Sequence, residues 1–102
     1  MLFRSDSISA TNTLGFYNGS RTAGNVIKLF KNGTAIINGT AVTQAISSVS
    51  FYISASNNNG TTQYYDNKQC AFASIGDGLT NTEAANFYTA VQNFQTTLGR
   101  QV

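Results

Sequence analysis

The sequence predicts a mainly β domain, an antiparallel sheet or sandwich followed by one C-terminal amphipathic α-helix. Three observations predict it. Asn-Gly pairs recur at 18–19, 32–33, 38–39 and 59–60, and both residues tolerate the positive φ that type I′ hairpin turns require. Short runs rich in β-branched and aromatic residues lie between them, which is how strands joined by tight turns read. Beyond Gly76-Asp77-Gly78 the apolar spacing changes to steps of three and four, the period of a helix. The length of 102 residues suits one small domain.

Residues 1–13 are expected to form an N-terminal arm or one extra strand, with the domain proper over 14–102. The strand runs are 14–17, 26–31, 34–37, 49–55, 61–65 and 69–75. The clearest hairpin is Val26 to Lys31, the turn Asn32-Gly33, then Thr34 to Ile37. Side chains alternate across a strand, so Val26, Lys28 and Phe30 share one face and Ile27, Leu29 and Lys31 the other. The second face carries two aliphatics and is expected to look inward. The helix is expected over about 81–98. Thr80 and Glu83 have the spacing of a capping box, in which each satisfies a backbone N–H of the other. Ala84, Phe87, Tyr88, Val91, Phe94 and Leu98 form one apolar stripe, a packing face. Gly99 supplies the left-handed stop.

Composition removes several function classes. Six basic residues (Arg4, Arg21, Lys28, Lys31, Lys68, Arg100) face four acids (Asp6, Asp66, Asp77, Glu83), and neither set is clustered. Phosphate binding needs several cations on one surface, so no nucleic-acid partner is expected. The chain has no histidine, hence neither the commonest general base nor the commonest metal ligand. No apolar stretch approaches the roughly 18 residues of a membrane span, and Met1-Leu2-Phe3-Arg4 followed by serine does not read as a signal peptide. The lone Cys70, in the run Cys70-Ala71-Phe72-Ala73, has no intramolecular disulfide partner and is expected to be a small buried hydrophobe. The four Asn-Gly-Ser/Thr triplets match the N-glycosylation pattern, but the turn requirement accounts for all of them.

The order of motifs resembles a known family. A strand with Gly15-Phe16-Tyr17 leads to Ser20-Arg21-Thr22, then comes Val-Ile-Lys-Leu-Phe-Lys-Asn-Gly (26–33), Phe-Tyr-Ile-Ser-Ala (51–55), and the block from Gln69 through Leu79-Thr80-Asn81-Thr82-Glu83 into the helix. This resembles the C-terminal half of concanavalin A-like lectin/glucanase domains, also called laminin G-like, as they occur in phage structural and bacterial surface proteins. The resemblance covers about residues 14–102. It implies a jelly-roll β-sandwich, here partial, since family domains run to roughly twice this length and the strands expected before Leu14 are missing. Half a sandwich leaves apolar sheet area exposed, so a homo-oligomer or a partner among other virion or surface-protein subunits is expected. The location implied is the virion surface of a phage or, alternatively, a bacterial cell surface.

The chemistry of such domains sets further expectations. Glucan-cleaving members carry paired glutamates. This chain has one glutamate, Glu83, which the cap uses, and glycoside hydrolysis ordinarily takes two carboxylates. The expectation is a non-enzymatic structural or adhesive module, with a carbohydrate-binding lectin-like module as the alternative. A glycan site would combine an aromatic platform with amide contacts, and the candidates are Tyr64 and Tyr65 with Asn57, Asn58 and Asn59. Adjacent strand residues point to opposite faces, so one of the two tyrosines is expected to be exposed; Tyr17 and Tyr52 are expected in the core or on a sheet face. Some members hold calcium through loop oxygens, which makes Asp66 and Asp77 weak calcium candidates; calcium takes six to eight oxygens with several carboxylates, and no other cofactor is expected.

Overall fold

The computed structural model describes residues 14–40, 48–67 and 69–100, as antiparallel strands plus one C-terminal helix. Five strands stand where six were expected. The chain divides into two compact units, one from the segments up to residue 43 and from 76 onward, the other from 44–75. The expected N-terminal arm or strand lies outside the described residues.

The first unit is a three-stranded antiparallel sheet, β1 (Tyr17–Ala23), β2 (Val26–Lys31) and β3 (Thr34–Gly39), in that spatial order, with helix α1 (Asn81–Thr97). Between Lys31 and Thr34 the chain reverses through Asn32 (φ 50°) and Gly33 (φ 78°), the two left-handed residues of a type I′ turn. Gly33 is also a point of close approach: a Cβ there would lie 3.1 Å from Ala85 Cα and 3.3 Å from Tyr88 Cβ. The Asn32 side chain then fixes the entry to the sheet. Its Oδ1 accepts from the Phe16 N–H at 2.9 Å, and its own N–H donates to the Phe16 carbonyl at 2.9 Å.

Two of the four Asn-Gly pairs make no turn. Asn18 and Gly19 sit inside β1, opposite Phe30 and Leu29, and the reversal comes at Gly24-Asn25 instead. Asn38 and Gly39 close β3 opposite Lys28 and Ile27. Strand pairing overrides the local turn preference in both cases, because β2 offers a continuous partner on either side. The run expected at 14–17 accordingly enters its strand only at Tyr17. One residue of β3, Ile36, is inserted between the Phe30–Ala35 and Leu29–Ile37 pairs, and such a bulge sharpens the local twist.

The inward face of β2 is the reverse of the expected one. Phe30 is 1% exposed, the largest fully buried side chain, and Lys28 Nζ donates to Asn81 Oδ1 at 2.6 Å at the helix start. The face bearing Val26, Lys28 and Phe30 therefore looks toward α1. A large aromatic buries more area than either aliphatic opposite it, and the lysine snorkels to a polar partner rather than being excluded. On the other face Ile27, Leu29 and Ile37 are half-buried, and Lys31 Nζ lies 5.4 Å from the centre of the Tyr17 ring.

The helix starts and stops where the sequence placed it. Thr80 Oγ1 accepts from the Glu83 N–H and Glu83 Oε2 accepts from the Thr80 N–H at 2.8 Å. At the C-terminus Gly99 (φ 67°) donates to the Thr96 carbonyl and Arg100 to that of Gln95, the paired bonds of a Schellman motif. The buried face runs through Ala84, Val91 and Gln95, with Phe87 and Tyr88 half-buried. Phe16 packs edge-on against Phe87 and stacks on Tyr88, at 5.5 and 6.4 Å between ring centres. Phe94 and Leu98, assigned to the stripe by spacing, are 50% and 47% exposed. The covered side turns toward Gln95 instead.

The second unit contains a small hairpin, β4 (Ser56–Asn58) and β5 (Thr61–Gln63), joined by Asn59 (φ 49°) and Gly60 (φ 91°) as the sequence predicts. The runs 49–55 and 69–75 are not strands. Cys70 is exposed rather than buried, and its thiol donates to the Phe72 carbonyl at 3.3 Å. With no ladder to pack it against, the apolar run around it stays at the surface.

Candidate binding surface

The candidate glycan residues all lie in the second unit, and its hairpin positions them. Asn57 is used up by the loop itself: its Nδ2 donates to the Ser50 carbonyl at 2.6 Å and its Oδ1 accepts from the Gly60 N–H at 2.7 Å. Asn58 Nδ2 donates across the hairpin to Gln63 Oε1 at 3.2 Å. Asn59 is the first left-handed residue of the turn. Asn57 and Asn58 thus spend side-chain amide groups on the loop, while Asn59 shapes it through its backbone.

Both tyrosines are exposed, Tyr64 at 84% and Tyr65 at 77%, where strand alternation called for one. The cause is the backbone. Tyr64 has φ 52°, a conformation that few aromatic residues adopt, and it ends β5 before alternation can apply. Past that kink the chain turns back on itself, and the Asp66 N–H donates to the Ser54 carbonyl at 2.8 Å. Ser54 is itself left-handed at φ 59°.

These two kinks frame an open depression of about 600 Å³, lined by Phe51, Tyr52, Ile53, Ser54, Ala55, Thr62, Tyr65 and Asp66. Tyr65 is in it and Tyr64 is not. Phe51 (74% exposed) and Tyr65 offer apolar ring surface, while Ser54, Thr62 and Asp66 bring two hydroxyls and a carboxylate. The depression thus sets a few polar groups beside apolar ring surface while staying wide open to solvent. Ser54 and Thr62 were not singled out from sequence, and Tyr52 was expected in the core or on a sheet face. The alternation of Phe51 and Ile53 resembled a half-buried strand, and only the left-handed turn at Ser54 exposes the segment.

The remaining carboxylates stand apart in role. Asp66 belongs to the second unit and Asp77 to the first, where Asp77 lies exposed in the Gly76–Gly78 loop before the helix. Among the described residues no group of three or more His, Cys, Asp or Glu side chains comes together. Glu83 serves the cap. The Thr80 backbone N–H and then the Thr80 hydroxyl bond to its charged form and hold its carboxyl below the ordinary value of 4.5. Among the described residues no helix is long and apolar enough to cross a membrane. No family model, curated protein or solved structure matches the chain.

Proposed function

We propose that the chain is a non-enzymatic structural or adhesive module of a phage virion appendage or bacterial surface protein, a partial concanavalin A-like jelly-roll that works in association with other copies or subunits. The observation that carries this reading is the surface of the second unit. Phe51, Ile53, Tyr64, Tyr65 and Ile75 are each 60% exposed or more, within one short segment. Exposed apolar side chains in this number are surface that contact with another macromolecule would cover. The resemblance of the Gln69–Arg100 block supports the same reading, as does the commitment of Glu83 to a helix cap. Immunogold labelling of virions or cells of the source is the test. Label on a fibre, tail or envelope surface is expected, and label confined to the cell interior overturns the reading.

A carbohydrate-binding role is the second reading, favoured by the depression at Tyr65 and Asp66. A glycan array separates the two. Saturable, sugar-specific binding that Tyr65→Ala abolishes and Tyr64→Ala leaves in place supports a lectin site in the depression. Turnover of any glucan by the purified chain overturns both readings.

A further inference from the structure

We propose that the outer edge of β3 is a self-pairing edge, along which two copies of the chain join their sheets antiparallel about a two-fold axis. The inference rests on the reading that the chain works in association, and it names the element through which copies meet. In an antiparallel ladder alternate residues turn their N–H and C=O groups away from the partner strand. β3 pairs with β2 on one side. On its other side the backbone of Thr34–Gly39 meets no hydrogen-bond partner among the described residues.

Natural edges are normally blocked by charge, proline, a bulge or a covering segment, and β3 carries neither charge nor proline. Its sequence is Thr-Ala-Ile-Ile-Asn-Gly, without a charge or a proline. The bulge at Ile36 is its one irregularity. Neutrality bears on which partner fits. A two-fold axis sets residue i of one edge opposite residue j of the other and j opposite i, so an edge carrying charge of one sign repels its copy, whereas an uncharged one self-pairs without that penalty. Pairing also makes the half-buried Ile27, Leu29 and Ile37 face continuous between the two sheets.

The opposite edge of the sheet explains why pairing stops at two. Ser20 Oγ donates to the Leu79 carbonyl at 2.7 Å and accepts from the Leu79 N–H at 2.6 Å. A Cβ at Gly78 would collide with the Arg21 carbonyl. The segment before the helix therefore occupies β1 at Ser20 and Arg21, whereas among the described residues no hydrogen bond engages the outer side of β3. Pairing about a two-fold axis through this one edge gives a closed pair rather than a growing fibre.

The test uses the full chain and light scattering at micromolar concentration. The unsubstituted protein is expected at twice its 10.9 kDa mass. Thr34 and Asn38 are the exposed positions of β3. The double variants Thr34→Glu/Asn38→Glu and Thr34→Lys/Asn38→Lys should each fall to the monomer mass, and mixing them should restore the pair. If both variants keep the wild-type mass, the β3 edge is refuted while association stands. An unsubstituted chain that is monomeric overturns the edge and the association together. Should either variant fail to fold, amide exchange on the unsubstituted chain decides. The amides of Thr34–Gly39 should exchange about tenfold more slowly when the protein is concentrated, and protection independent of concentration overturns the proposal.

Discussion

Asn32 combines two functions in one side chain, the left-handed turn and the clamp on Phe16. Substitution separates them. Asn32→Gly keeps the turn conformation and loses the acceptor, an expected loss of about 0.5–1.5 kcal/mol. Asn32→Ala loses the acceptor and also the local side-chain bonding that lets asparagine adopt the left-handed conformation, so it should lose more than Asn32→Gly. The order Gly less damaging than Ala, read from urea midpoints, checks the assignment. The same logic distinguishes two glycines in the first unit. Both Gly33 and Gly99 have positive φ, but only Gly33 faces backbone within 3.1 Å while Gly99 has open space. Gly33→Ala should therefore destabilise more than Gly99→Ala in the same titration. Burial makes an equally sharp contrast between phenylalanines: Phe30→Ala should lose about 3–5 kcal/mol, whereas the half-exposed Phe94→Ala should lose about 1 kcal/mol. Comparable losses at the two positions would mean that the helix stripe is buried as its spacing suggested.

The helix was the most legible element because its signals are local. A capping box, a glycine stop and a three-four apolar spacing all act within a few residues, and the observed span Asn81–Thr97 follows them. Thr80→Ala should lower stability by about 0.5–2 kcal/mol through the lost cap. Acid should act on the same cap through Glu83. Its carboxyl titrates lower in the folded chain than unfolded, so its contribution is present above the ordinary glutamate value and fades as pH falls through the folded one. Glu83→Gln should flatten that acid limb, seen by comparing urea midpoints at about pH 7 and about pH 3; an unchanged limb would remove Glu83 as its source. Strands were legible only where a turn and a partner agreed. Val26–Lys31 and the turns at 32–33 and 59–60 came out as read, whereas Asn18-Gly19 was drawn into β1 because its neighbours pair with β2. A turn dipeptide states what the backbone tolerates, and pairing decides whether that tolerance is used.

At the level of the whole molecule the two units differ in how their apolar residues are held. The first buries Phe30, Ala84 and Val91, while in the second Phe51, Ile53, Tyr64 and Tyr65 are largely exposed. Segments with few buried contacts open at low free energy. Limited proteolysis should accordingly cut within 48–67 well before it cuts within β2 or α1, and first cuts inside the helix would contradict this. Phe51→Ala and Tyr64→Ala should shift stability by no more than about 0.5 kcal/mol, so any loss of binding they cause reports on contact rather than folding. The candidate site was half legible for the same reason. Tyr65 was read as a glycan candidate and Asp66 as a calcium candidate, but the depression also takes in Phe51, Ser54 and Thr62, beside the left-handed residues Ser54 and Tyr64. By itself the sequence determined the antiparallel β character, the two Asn-Gly turns and the helix with both its caps, since each depends on neighbours in sequence or on composition. The tertiary structure alone decided which face of β2 turns to the helix, that Gln95 rather than Phe94 is covered and that both tyrosines are exposed. Those outcomes depend on what lies across from a residue in space, and no local preference specifies that.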